Sequence, residues 1–313
     1  MTQMLEPLDP VGLLLQQLWL GTWNLGGEGF GPSDEREARH VLETAFERGA
    51  RHFDTAGLYG RGHSEKLLAK VLGCKRKQVF IATKGGLVWN GRKVVHDATR
   101  ATLRQTLHES LDRLNTDYID LYQLHWPDPS APIEESIETF LEFKSEGLIR
   151  HWGVCNLSAE DVIRLLPKNA LITHQIHHNP IHRADDVLKA GMLDMRCYNC
   201  IYSPLEQGLL AGGKSSWPEA LGLRDVRRRN PYFKNTQILA WVSKLRSIAE
   251  RNRLSLPAIV LQWILKNDSV HALITGPRTV DQLMDTLGCF SSLNTKPTTE
   301  IEQLCSFLDK GPT

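Results

Sequence analysis

The sequence predicts a closed (β/α)8 barrel of the TIM-barrel kind, running as one domain over residues 1–313. Three observations lead there. Short apolar, β-branched runs alternate along the whole chain with longer segments of helical period, the signature of βα units joined into a parallel sheet. About eight such runs can be counted, and a closed barrel is the arrangement that buries every parallel strand without leaving an edge. A chain of 313 residues with 41% hydrophobic side chains can fill one large core, and eight βα units leave no room for a second domain.

The first strand lies in the apolar segment from Val11 to Leu20. That segment is too short to cross a bilayer and follows Glu6 and Asp9 rather than a basic leader, so a buried strand of a cytoplasmic protein is expected. The remaining strands are expected to end near Phe53, Thr83, Leu124, Val154, Gln175, Tyr202 and Thr275. Helical patterns start near Asp34, His63, Thr99, Pro132, Ser158, Ala184, Thr236 and Thr279. Asp34 with Glu37, and Thr279 with Gln282, have the spacing of capping boxes. From about Gln207 to Asn235 the chain is rich in Gly, Ser, Pro and Arg, and a loop of that length after strand seven reads as a functional lid. An extra helix is expected at the C-terminus.

Composition excludes some partners. Lys+Arg 37 against Asp+Glu 36 leaves a net charge of +1, without the basic excess that phosphate-backbone binding needs, so no nucleic-acid partner is expected. Six cysteines without a regular framework point to reduced thiols, and Cys197 and Cys200 lie in a strand, not at the helix N-terminus a redox pair requires. The stretch HQIHHNPIH at 174–182 is not expected to bind metal, because a strand sends adjacent side chains to opposite faces; His178 is expected to line the pocket instead. GGEGFG at 26–31 has Pro32 where a dinucleotide fingerprint needs its last glycine, and reads as a loop after strand one. The run Arg227, Arg228 and Arg229 reads as a solvated face of the lid rather than a nucleic-acid patch, and could also steer an anionic cofactor.

In such a barrel the residues just beyond the strand ends ring one pocket. Here they are Trp23, Asp54 and Tyr59, Lys84, His125 followed by Trp126, Asn156, Gln175, Tyr202 and Ser203, and Arg278. A tyrosine is a poor acid near neutrality, but an ammonium within about 4–6 Å would favour the phenolate. Lys84, on the strand next to that of Asp54, can supply that charge to Tyr59, and Asp54 would keep the lysine protonated. His125 can donate a hydrogen bond to a substrate oxygen. The chemistry these residues point to is protonation of an oxygen on which negative charge develops.

The same four residues resemble the Asp, Tyr, Lys, His tetrad of the aldo-keto reductases. The resemblance extends over nearly the whole chain, with LGTW at 20–23, DTAGLYG at 54–60, TKGG at 83–86, SLDRLNTDYIDLYQLHWPD at 110–128, GLIRHWGVCNLS at 147–158, YSPLEQGLL at 202–210 and GPRTVDQL at 276–283 in that family's order. It implies reduction of an aldehyde or ketone by hydride from a nicotinamide cofactor, usually NADPH/NADP+ with NADH possible, and Tyr59 as the general acid. Gly21, Thr22, Trp23 and Gly276 would lie along the cofactor, Asn156 and Gln175 would hold its carboxamide, and Tyr202 would stack on its ring. Ser203, Leu205, Gln207 and Gly208 would line the pyrophosphate, Arg278 would meet the adenosine 2′-phosphate, and Asp281 and Gln282 would lie at the adenine. Trp23, Tyr59, Trp89, His125 and Trp126 would face a small-molecule carbonyl substrate. The expected protein is a monomer or weak homo-oligomer, with neither membrane nor metal.

The sequence departs from the family's pattern at Cys155, where Ser usually precedes Asn156, at Gly57, where an acid is common, and at HHNPIH after Gln175. Three other readings stay open: a sugar or alcohol dehydrogenase working in the oxidative direction, an NADP(H)-binding regulatory subunit with little turnover, and a barrel of non-redox chemistry such as an isomerase.

Overall fold

Eight parallel strands close on themselves in the order β1, β10, β9, β8, β7, β6, β3, β2. The computed structural model describes residues 17–27, 29–31, 34–170, 172–211, 221–223, 225–251 and 255–292. The barrel strands are β1 (Leu18–Gly21), β2 (His52–Asp54), β3 (Phe80–Gly85), β6 (Ile119–Leu124), β7 (Ile149–Cys155), β8 (Ile172–His177), β9 (Cys197–Tyr202) and β10 (Ala272–Thr275). Each expected strand end falls within or beside its strand. The start of the Val11 to Leu20 segment and the extra C-terminal helix lie outside the described residues, as do residues 212–220 and 224 in the expected lid.

The helices are α1 (Glu35–Glu47), α2 (His63–Leu72), α3 (Arg100–Leu114), α4 (Ile133–Ser145), α5 (Ala159–Leu165), α6 (Asp185–Met192), α7 (Thr236–Arg251), α8 (Leu256–Leu265) and α9 (Val280–Ser292). Asp34 caps α1 by accepting from the backbone of Arg36 and Glu37. Glu37 does not return the bond to Asp34; its carboxylate accepts from Val280 N at 3.0 Å and so caps the neighbouring helix α9. At α9 itself, Thr279 Oγ1 accepts from Gln282 N while Gln282 Oε1 accepts from Arg278 N at 2.9 Å. These short links fix the direction in which each helix leaves its strand.

Two features differ from the sequence expectation. The helical pattern that starts near Thr236 is followed by two helices, α7 and α8, the second with Pro257 in its first turn, where the sequence reading marks only the first start. After β3 the chain makes an antiparallel hairpin, β4 (Leu87–Asn90) and β5 (Lys93–His96), which the sequence does not announce because its strands are short and partly exposed. Beyond the barrel wall, strands and helices enclose continuous apolar layers that include Phe53, Phe140, Phe143 and Tyr122, all fully buried. Burial of side chains this large contributes about 2–3 kcal/mol each. Within the barrel, Trp19, Ala82, Leu121, Cys200, Ala272 and Ile274 pack together. That packing leaves the C-terminal strand ends to carry polar groups.

Candidate active site

Register places the polar groups at one level of the barrel. Gly21 pairs with Asp54, Asp54 with Ala82, Lys84 with Gln123, and Cys155 with Gln175. Lys84 Nζ donates to Asp54 Oδ1 at 2.6 Å and to Thr55 O at 2.9 Å, with only 4% of the lysine and 3% of the aspartate exposed. Burial alone would drive the Lys84 pKa down, but the Asp54 carboxylate overrides it and the ammonium is held above its ordinary value. The second Asp54 oxygen accepts from Gln175 Nε2, which also donates to Gln123 Oε1 at 2.8 Å. The carboxylate is thus fixed from two sides.

Tyr59 arrives from the loop after β2, where its N–H closes a turn on Ala56 O at 3.0 Å. Gly60, at φ +56°, follows it so closely under the β1 loop that a Cβ there would lie 2.0 Å from Gly26 O. The Tyr59 ring stacks on Trp23 with centroids 6.0 Å apart, meets His125 edge-on at 5.7 Å, and lies 5.4 Å from Lys84 Nζ. Here the structure corrects a sequence expectation. Lys84 does pull the phenol down, yet burial outweighs it, assisted by the Asp54 charge, and the Tyr59 hydroxyl is pushed up to about 12. Sequence adjacency shows the lysine but not the dielectric. Burial, with Lys84 adding to it, holds His125 well below the ordinary histidine range, so His125 is a neutral ring able to donate one N–H.

The other side chains expected around a substrate lie at the same mouth. Trp89, on β4, donates Nε1–H to Leu58 O at 3.1 Å and carries the Arg61 guanidinium 4.1 Å from its ring centroid, so the hairpin is fastened to the tyrosine loop. Trp126 is 42% exposed, next to His125.

On the opposite side of the mouth, Tyr202 donates to Asn156 Oδ1 at 2.8 Å, and Asn156 Nδ2 donates to His125 O at 3.0 Å. Beyond β9 the backbone turns through positive φ at Ser203, Glu206, Gln207 and Gly208, and open space surrounds the position a Gly208 Cβ would take. Leu205 lies within this turn and accepts from Gly208 N. Thr22 Oγ1 donates to Asp54 O at 3.1 Å, and Gly21 and Gly276 bring β1 and β10 close, a Gly21 Cβ lying 3.0 Å from Ile274. Arg278 donates to Phe30 O. Burial lowers its pKa, as does the neighbouring Arg227 guanidinium. Arg227 is not simply a solvated lid residue: it pairs with Asp225 at 2.6 Å and lies over the Phe30 ring. Asp281 and Gln282 occupy the first turn of α9.

His178 does not line the mouth, in contrast to the sequence expectation. It is 1% exposed, stacks on Trp263 at 5.6 Å and accepts from Ala184 N. Strand alternation sends His177 the other way, onto Tyr202 at 5.2 Å. Sequence reasoning also misses Gln123, Glu206, Asn230 and Phe30. Gln123 had a signal, being a polar side chain near the end of the strand IDLYQL, two residues before His125.

A family model described as the aldo/keto reductase family matches residues 17–307. The chain belongs to the aldo/keto reductase family. It shares 34% identity with aldo-keto reductase YhdN of Bacillus subtilis (strain 168), over 87% of this chain and 84% of that protein. It shares 28% with the NADH-specific methylglyoxal reductase of Escherichia coli (strain K12), over 97% of this chain and 99% of that one. Among solved structures, the glycerol dehydrogenase of Gluconobacter oxydans superposes with a TM-score of 0.79 at 30% identity, covering 93% of this chain and 90% of its own. This aldo/keto reductase is therefore an oxidoreductase of the carbonyl/alcohol couple that uses a nicotinamide cofactor. Among the described residues no helix is long and apolar enough to cross a membrane.

Within this reductase, Gly57 has a local cause: a Cβ there would lie 2.7 Å from Arg113 Nη2, which is held beside the fully buried Glu65. Burial pushes the Cys155 thiol up to about 12, so it is neutral next to Asn156.

Proposed function

We propose that this reductase converts an aldehyde or ketone to the alcohol at the expense of NADPH. The observation that carries the reading is the meeting of Asp54, Tyr59, Lys84 and His125 from three strand ends and the loop after β2 at one mouth of the barrel. When bound, the cofactor supplies hydride to the carbonyl carbon. His125 donates a hydrogen bond to the carbonyl oxygen and fixes its orientation. Tyr59, protonated throughout the neutral range, delivers its proton to that oxygen as charge develops, and Lys84 stabilises the phenolate left behind. Asp54 keeps Lys84 charged for that task. The residues present fit a dinucleotide: the positive-φ turn from Ser203 to Gly208 exposes backbone beside open space, Tyr202 offers a ring anchored through Asn156, and Arg278, next to the Arg227–Asp225 pair, leaves a net positive charge at the far end. That charge favours NADPH over NADH.

The test is to mix the protein with NADPH, and separately with NADH, and a panel of aldehydes and ketones, following loss of the reduced-nicotinamide absorbance. No turnover on any carbonyl despite tight NADPH binding would move the reading to a regulatory subunit. No quenching of tryptophan fluorescence by NADPH would remove the cofactor altogether. A second reading, alcohol oxidation, is favoured by the likeness to a glycerol dehydrogenase. The same residues serve it, with Tyr59 as base.

A further inference from the structure

Behind Tyr202 lies a buried polar cluster that the proposed chemistry does not use. Glu206 is fully buried. Its Oε2 accepts from His177 Nε2 at 2.8 Å and Asn179 Nδ2 at 2.7 Å, and its Oε1 accepts from Asn230 Nδ2 at 2.7 Å. His177 in turn lies in a stack of three rings, 5.2 Å from Tyr202 on one face and 4.0 Å from His182 on the other. His182 Nδ1 and Tyr232 Oη are 2.9 Å apart. Asn230 and Tyr232 therefore grip the two sides of one cluster. The same segment runs back to Val226, whose N–H donates to Gly29 O at 2.6 Å in the β1 loop.

We propose that Glu206 is a positioning residue that ties the Asp225–Asn235 segment to the ring stack behind Tyr202, so that retaining the dinucleotide and seating its nicotinamide become one event. The proposal rests on the reading that NADPH binds at this mouth. A carboxylate is an odd choice beside a turn expected to receive pyrophosphate, since like charges repel there; a glutamine would avoid that cost. What only the carboxylate can do is accept on both oxygens. Burial raises the Glu206 pKa, but the donors from His177, Asn179 and Asn230 outweigh it and hold it below the ordinary carboxylate range. Asn230 cannot turn round to meet a glutamine, because its Oδ1 already accepts from Tyr232 N at 3.0 Å. Glu206→Gln therefore sets N–H against N–H at Asn230 alone, with His177 and Asn179 still served by the remaining oxygen.

This geometry permits a swap. In Glu206→Gln with Asn230→Asp, the new amide donates to one aspartate oxygen while the other accepts from Tyr232 N, and Gln207, whose Oε1 accepts from Asn230 Nδ2 at 3.3 Å in the wild type, turns its amide N–H toward the new carboxylate. Hydrogen bonds to charged groups of this kind are worth about one tenfold step in an equilibrium constant. NADPH release, followed by stopped-flow fluorescence, should be about tenfold faster in Glu206→Gln and in Asn230→Asp, and within about threefold of wild type in the double variant. Hydrogen exchange of the cofactor-free protein should rise over residues 225–234 in each single variant and fall again in the double. Single variants that release NADPH at the wild-type rate, or a double variant no slower than the faster single, would overturn the proposal. Should Glu206→Gln fail to fold, Asn230→Asp and Tyr232→Phe read the same link from the segment's side. A wild-type protein that binds no NADPH refutes the proposed function instead, and exchange in the cofactor-free variants then tells the two failures apart.

Discussion

The Lys84 ammonium stands 2.6 Å from an Asp54 oxygen and 5.4 Å from the centre of the Tyr59 ring, so one buried cation faces both an acid that holds its proton and a phenol whose anion it can stabilise. Removing Asp54 leaves that cation unpaired. Asp54→Asn should cost about 3–5 kcal/mol in denaturant unfolding, the usual penalty for breaking a buried pair from one side. Asp54→Asn with Lys84→Met should be more stable than Asp54→Asn alone, because no charge remains buried. Equal losses in the single and double variants would show that the pair does not set the cost.

Tyr59→Phe removes the proton donor together with its hydrogen bond with Lys84. Carbonyl reduction should fall by about 10²–10⁴-fold in kcat, the range for loss of a general acid, while the NADPH Kd stays near that of wild type. A Phe variant that turns over at the wild-type rate would sink the assignment of Tyr59.

Neither Tyr59, raised to about 12, nor Lys84, raised further, nor His125, held well below its usual range, changes charge near neutrality in the cofactor-free protein. The kcat/KM for reduction should therefore be flat from about pH 6 to about pH 9. Alcohol oxidation needs Tyr59 deprotonated and should rise with pH over the same span. A bell-shaped profile for reduction centred near neutrality would point to a different acid.

Acid stability depends on buried histidines that take no part in this chemistry. Burial lowers His52 to about 4 and His174 to about 3. The unfolded chain then binds these protons first, so the contribution of the neutral rings is present above the ordinary histidine value near 6.5 and is lost as pH falls toward the folded values. His52 is stacked on Trp19 at 5.4 Å and packed on Phe80 at 5.1 Å, and its Nδ1 has no hydrogen-bond partner among the described residues. His52→Phe keeps that packing without the titration. It should raise Tm at about pH 4.5 relative to wild type and change it little at about pH 8.

Arg278 is the cation expected to read the 2′-phosphate, with Arg227 close enough to lower its pKa. Arg278→Met should raise KM for NADPH by about tenfold while leaving KM for NADH nearly unchanged, the signature of a lost phosphate contact. Equal effects on both cofactors would assign Arg278 to holding Phe30 and the β1 loop instead.

Much of this was legible along the chain because it is local. Alternation of apolar runs with helical periods sets eight strands in order, and barrel geometry then assigns Asp54, Lys84, His125 and Asn156 to one mouth. Alternation also separates His177 from His178, although which of the two faces the mouth depends on where β8 starts. The β4–β5 hairpin was not legible, since half-exposed strands carry little hydrophobic pattern. Glu206 was hidden for another reason: its donors lie 29, 27 and 24 positions away, on two other segments.

The sequence by itself determined the order of the βα units, the family and the identities of the acid, the cation and the histidine at the strand ends, because each is written in spacing and residue type. Only the tertiary structure decided how far water is excluded from Tyr59, and with it that burial outweighs the lysine charge. It also decided which oxygens of Asp54 and Glu206 are engaged and by whom. Dielectric and hydrogen-bond partnership depend on what surrounds an atom in three dimensions, and no stretch of chain carries that information alone.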